Sequence, residues 1–284
     1  FNNFYHFSFF RFILLDIMMQ IEFPKIGLGT WQLKPEICKT SVLTALKLGY
    51  RLIDTAQAYR NEHAVGSALV ESGIPRRQVI LSTKVFPLRN RPKLLLSGFQ
   101  KSLEKLQTDY VDILFVHFPA FGYKPETTLK AMKELVDRGQ VRAIGVSNFT
   151  LALMDAALSV CDSIKVLQIE LHPLLKQKKF RAYCETRGIR IMGYTPLGHG
   201  NLGEIVELTE VADKNNLSIA QICLAWEMAH GIIPIPKSTS EKHLKSNLDA
   251  QSIRLSAEDI QKIDSITVQK RFVSPPFASP KWDN

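Results

Sequence analysis

Cysteine is scarce in this 284-residue chain: Cys38, Cys161, Cys184 and Cys223 stand far apart and form no CxxC pair. That spacing speaks against a zinc site of paired thiolates and against a disulfide framework, and it fits reduced thiols. The seven histidines contain no HxH and no HExxH, which disfavours a metallohydrolase, so no metal is expected. No GxGxxG run is complete. The closest approach, Gly27 and Gly29, runs into Trp31 and lacks the third glycine that a Rossmann turn needs. The opening stretch, FNNFYHFSFFRFILLDIMM at 1–19, is broken by Arg11 and Asp16 and has neither a basic start nor a small-residue cleavage site. It therefore makes a poor transmembrane helix and a poor signal peptide. Residues 1–19 are expected to be a leader, non-native or disordered, with a weak membrane anchor as the lesser reading.

What remains is long enough for one large domain over 20–284, and 45% of the chain is hydrophobic. Lys plus Arg (36) exceed Asp plus Glu (27), a formal net charge of +9. The basic residues are scattered over helices, with no dense run and no nucleic-acid reader motif, so nucleic acid is not expected as a partner. A phosphorylated cofactor or an acidic substrate suits the sign of the charge.

After the leader, IEFPKIGLGTWQL reads as a small hairpin leading into a first strand near 26–30. From Pro35 a helix carries Cys38, Val42, Ala45 and Leu46 on one face, stops at Gly49, and gives way to an apolar strand ending on Asp54. The same grammar recurs through VILSTK, VDILFVH, VRAIGVS, VLQIEL, IRIMGYT and IIPIPKS, each preceded by an amphipathic segment. Eight short, almost wholly apolar strands alternating with helices predict an α/β protein, a single-domain (β/α)8 TIM barrel. A doubly wound sheet is the runner-up, and it lacks its fingerprint. The Pro-rich tail RFVSPPFASPKWDN is expected to lie over the barrel mouth.

In such a barrel, function collects at the carboxyl ends of the strands. Those ends read Trp31, Asp54, Lys84, His117, Ser147 with Asn148, Gln168 with Glu170, Tyr194 with Thr195, and Lys237 with Ser238. Tyr59 follows Asp54 by five positions. A phenol is a weak acid, with a reference pKa of about 10. A neighbouring ammonium would bring it closer to a useful value, a carboxylate would keep that ammonium charged, and a histidine could orient the reacting oxygen. Such a group suits protonation of an oxygen while hydride from a bound nicotinamide attacks the adjacent carbon. Glycoside hydrolysis would want two free carboxylates; only Asp54 and Glu170 lie near the rim, and Lys84 is the expected cation of Asp54. His172, before Pro173, reads as a loop histidine satisfied by backbone, and His199 stays unassigned.

The motifs together resemble the aldo-keto reductases. GLGTWQL at 27–33, LGYRLIDTAQAYRNEHAVG at 48–66, LSTKVF, DILFVHFP, VRAIGVSNF, QIELHP, GYTPLG and IPKS appear in that family's order over nearly everything after the leader. Within the family the chain is most similar to the bacterial branch acting on 2,5-diketo-D-gluconate, including the terminal VSP…WD segment. The resemblance implies NADPH-dependent reduction of small aldehydes and keto-sugars, of the methylglyoxal or 2,5-diketo-D-gluconate type, by a cytoplasmic monomer. A non-catalytic nicotinamide-binding regulator on the same fold is the alternative. It implies a tetrad of Asp54, Tyr59, Lys84 and His117, with Tyr59 as proton donor. Ser147, Asn148 and Gln168 would hold the carboxamide, Tyr194 would stack on the nicotinamide, and Thr195 and Leu197 would lie along the pyrophosphate. Lys237, Ser238 and Thr239 would bind the 2′-phosphate, with His243 and Asn247 nearby, while Trp31 and Phe118 would wall the substrate pocket. Three positions depart from the family's habit. His243 stands where Arg is usual, which leaves NADH as an alternative cofactor. Phe118 replaces a Trp, and Ser246 replaces a Glu near the adenine.

Overall fold

The computed structural model describes residues 21–276 and 278–282, so the leader expected over 1–19 lies outside the described residues. Eight parallel strands follow one another in chain order: β1 Leu28–Gly29, β2 Leu52–Asp54, β3 Ile80–Val85, β4 Val111–Val116, β5 Val141–Ser147, β6 Ile164–Glu170, β7 Arg190–Tyr194 and β8 Ile233–Pro234. Two backbone hydrogen bonds join the first strand to the last. The N–H of Gly27 donates to Pro234 O at 3.0 Å and that of Gly29 to Pro236 O at 3.1 Å. The glycines that failed as a nucleotide fingerprint serve this closure. A Cβ on Gly29 would stand 2.7 Å from the carbonyl oxygen of Ile235, and one on Gly27 would stand 2.3 Å from Leu52 Cδ2.

Among the described residues ten α-helices surround the strands: α1 Pro35–Leu48, α2 Glu62–Glu71, α3 Pro92–Leu106, α4 Pro125–Asp137, α5 Leu151–Leu158, α6 Lys178–Glu185, α7 Val206–Asn215, α8 Ile219–Ala229, α9 Glu241–Asp249 and α10 Ala257–Ser265. Proline opens α1, α3 and α4, where its fixed φ suits the first turn and no N–H is needed. Gly49 ends α1 at φ 112°, as the sequence suggests. A capping box of Ser218 and Gln221 starts α8. The helices α7 and α9 were not anticipated. Leu208, Val211 and Ala212 do mark an apolar stripe in α7, whereas α9 buries little beyond Leu244 and Asn247. Residues 21–27 carry no strand, so the small hairpin expected there ahead of β1 is not formed among the described residues.

Side chains alternate across a strand, so one parity faces the barrel axis and the other faces the helices. Leu52, Ile80, Ile113, Phe115, Val166, Met192, Ile233 and Ile235 form the inner cluster, with Ile21 and Phe23 packed against it. Gly145 makes room for the Phe115 ring; a Cβ there would lie 2.3 Å from it. The residues of opposite parity, such as Ile53, Leu81, Leu114 and Leu167, belong to the larger core under the helices. All four cysteines are buried free thiols. Burial pushes the Cys38 and Cys184 thiols up to about 12, which suits packing and not reactivity. No helix among the described residues is long and apolar enough to cross a membrane.

Candidate active site

Counting by twos from the inner cluster toward the carboxyl ends reaches Asp54 from Leu52, Lys84 from Ile80, His117 from Phe115, and Gln168 and Glu170 from Val166. It also reaches Tyr194 from Met192. These six residues therefore share the inward parity and lie at one mouth. Asp54 lies in register with Ser82 on β3. The Ser82 hydroxyl donates to Asp54 Oδ1 at 2.7 Å, and the Gln168 amide donates to the same oxygen at 2.9 Å from across the barrel. Lys84 Nζ donates to Asp54 Oδ2 at 2.5 Å and to the carbonyl of Thr55 at 2.9 Å. Both members of this ion pair are buried, with side chains 1% and 2% exposed.

Tyr59 sits at the end of a short 3-10 turn, Gln57–Tyr59, beyond β2. Buried Asn61 fixes that turn by donating to the carbonyls of Thr30 and Leu33 and accepting from the Thr55 hydroxyl. Gln57 ties the same turn to Phe86 and Ser102. The Lys84 ammonium lies 4.8 Å from the centre of the Tyr59 ring. The His117 imidazole meets that ring nearly edge-on, with centroids 5.7 Å apart. Phe118 packs on His117 at 5.1 Å. The tetrad suggested by the sequence is thus one contiguous cluster, and Ser82 and Asn61 join it as supports that carried no distinctive signal.

The electrostatics differ from the expectation in one respect. Lys84 was expected to bring the phenol of Tyr59 down, yet the phenol is held well above its ordinary value, chiefly by burial and then by the negative charge of Asp54. Burial outweighs the nearby Lys84 ammonium, whose charge is paired at short range with Asp54. Burial lowers Lys84, and Asp54 partly restores it. His117 is held well below its ordinary value by burial and by the Lys84 charge, so it is neutral. The cluster accordingly presents a protonated phenol and an uncharged imidazole.

Ser147 ends β5 opposite Gln168. Asn148, at φ 62°, donates to the carbonyl of His117 at 2.9 Å and to the Ser147 hydroxyl at 3.0 Å, and accepts from the Tyr194 hydroxyl at 2.6 Å. These four residues adjoin the tetrad. His117 Nδ1 is buried without a hydrogen-bond partner among the described residues, and the Tyr194 ring is only half-buried. A polar group next to His117 and a flat ring against Tyr194 therefore fit. Thr195, at φ 55°, and Leu197 lead into the loop after β7. Lys237, Ser238 and Thr239 form a separate group between β8 and the start of α9, with Lys237 and Thr239 exposed. His243 is exposed and Asn247 is buried one turn further along α9. The amide hydrogens of a helix start beside lysine suit a phosphate.

Trp31 is 40% exposed beyond β1 and faces His199 at 5.7 Å, a histidine that sequence reasoning left unassigned. His172 is not held by backbone through its side chain. It is fully buried, with Nε2 3.1 Å from Glu170 Oε1. Glu170 is no free carboxylate either, because both its oxygens accept backbone N–H groups from the tail, at Phe272 and Val273. The tail does cross the mouth, as expected.

Known proteins match this chain along nearly its whole described length. A sequence profile described as the aldo/keto reductase family matches residues 25–268. The chain is 41% identical over 264 residues to methylglyoxal reductase DkgB of Escherichia coli O157:H7, covering 92% of this chain and 99% of that protein. It is 40% identical over 254 residues to glyoxal reductase of Bacillus subtilis strain 168, covering 88% and 91%. Among solved structures, one provisionally named a 2,5-diketo-D-gluconic acid reductase B is 33% identical, with a TM-score of 0.88 and coverage of 92% and 94%.

Proposed function

Because the chain belongs to the aldo/keto reductase family, we propose that it reduces small aldehydes and keto-sugars, of the methylglyoxal or 2,5-diketo-D-gluconate kind, to alcohols. NADPH, when bound, would supply the hydride that reaches the carbonyl carbon. Ser147, Asn148 and Gln168 would hold its carboxamide, Tyr194 its ring, and Thr195 and Leu197 its pyrophosphate. Lys237, Ser238, Thr239, His243 and Asn247 would hold the adenosine phosphate end. The supporting observation is the convergence of a protonated phenol, a buried ammonium–carboxylate pair and a neutral imidazole at one strand-end cluster.

Tyr59 would give its proton to the carbonyl oxygen. Its raised pKa keeps that proton in place until the oxygen gains negative charge, which is the condition a donor needs. Neutral His117 would orient the oxygen by a hydrogen bond without competing as an acid. Lys84 would stabilise the phenolate that remains, while Asp54 keeps Lys84 charged in a dry setting. Ser82 and Gln168 hold the carboxylate from its other side. Phe118 gives the pocket an apolar wall where an indole would offer a donor. The protein would act in the cytoplasm as a monomer.

Loss of NADPH absorbance with methylglyoxal and with 2,5-diketogluconate tests this reading, with NADH measured alongside. Turnover of neither substrate with either cofactor would overturn it. His243→Arg should tighten NADPH more than NADH; an equal effect on both would remove His243 from the phosphate site.

A further inference from the structure

Among the described residues, Glu170 is the one inward strand-end carboxylate at the mouth that the tetrad does not use. It ends β6 and is fully buried. A carboxylate in that position is costly unless donors meet it, and the donors here come from the far end of the chain. The Phe272 N–H reaches Oε1 at 2.6 Å and the Val273 N–H reaches Oε2 at 2.9 Å. Two successive amides pointing at one anion form a nest, and bonds to a charged acceptor are about twice as strong as neutral ones. His172 Nε2 adds a contact at 3.1 Å, and Arg271 Nη1 lies 3.9 Å from Oε2. The neighbouring Lys270 N–H donates to the carbonyl of Leu174 at 3.0 Å, which fastens the same segment to the loop after β6.

We propose that Glu170 is a positioning residue that clasps residues 270–273 as a strap across the mouth, and so sets the place of Phe272 as a wall of the substrate entrance. Once held, the Phe272 ring stands edge-on between His172 at 5.2 Å and His199 at 5.9 Å. His199 in turn meets Trp31. A line of rings therefore runs from the loop after β6, over the end of β7, to the loop after β1. The fit is close: a Cβ on Gly198 would lie 3.1 Å from Phe272 Cε2. Releasing the clasp would leave the tetrad intact and change only how well the mouth encloses a substrate.

Glu170→Gln keeps the side chain's size but removes the charge and one acceptor. In the full chain, amide exchange at Phe272 and Val273 should quicken by about tenfold or more, the loss expected for a charge-assisted bond. The kinetic consequence rests on the carbonyl-reductase reading. KM for an aromatic aldehyde should rise by about tenfold as the docked strap becomes one state among several, while kcat is retained. Phe272→Ala is the second variant. It preserves both amides, so exchange should stay slow while KM rises. Unprotected amides in the unaltered chain, or a fall in kcat with KM unchanged, would overturn the proposal. If no chain turns over, the reductase reading fails, and the exchange comparison alone still decides whether the clasp exists.

Discussion

Lys84→Met isolates what the ammonium does for the fold from what it does for chemistry. Asp54 is 2% exposed, and the change removes the cation 2.5 Å from Oδ2 while leaving Ser82 and Gln168 on Oδ1. Breaking a buried pair by removing one partner costs about 3–5 kcal/mol, on the order of 10 °C in Tm for a domain of this size. Thermal unfolding followed by circular dichroism should show that deficit. The double variant Asp54→Asn with Lys84→Met needs no cation and should recover most of the stability, while turnover stays lost in both. A single variant within about 1 kcal/mol of the parent, or a double variant no more stable than the single, would refute the role given to this pair.

Glu227 is fully buried on α8, and both its oxygens lack a partner among the described residues. Burial holds its pKa well above the ordinary 4.5. The unfolded chain therefore releases this proton first, and stability should fall by about 1 kcal/mol per pH unit above 4.5 until the folded group titrates. Glu227→Gln should flatten that decline in urea unfolding at pH 5 and 7, and an unchanged slope would rule Glu227 out as its source. Gly29→Ala would press a methyl to 2.7 Å from the Ile235 carbonyl at the closing seam and should cost about 1–3 kcal/mol. Gly203→Ala, with nothing within 4 Å, should be neutral or slightly stabilising by the same unfolding assay.

The eight strands and the convergence of Asp54, Lys84 and His117 were legible because both follow from period. Short apolar runs ending on a charge identify covered parallel strands, and counting by twos brings Asp54, Lys84 and His117 to one side of the sheet. The strands β1 and β8 were harder to bound, since each pairs over only two residues where the barrel closes. The Glu170 clasp was hidden for a different reason. Its donors are backbone amides some hundred residues away, and a backbone amide has no sequence signature. Asn61 escaped notice because its hydrogen bonds go to carbonyls in the β1 loop. The raised pKa of Tyr59 follows from its burial beside Asp54, and residue types alone do not specify that burial.

Turnover of methylglyoxal by Tyr59→Phe, with NADPH binding followed by fluorescence on the same preparation, tests the proton-donor assignment most directly. The ring, its contact with Lys84 and the cofactor residues all persist, so binding should hold while kcat falls by about 10²–10⁴-fold or more. Retained turnover with Tyr59→Phe would contradict the account.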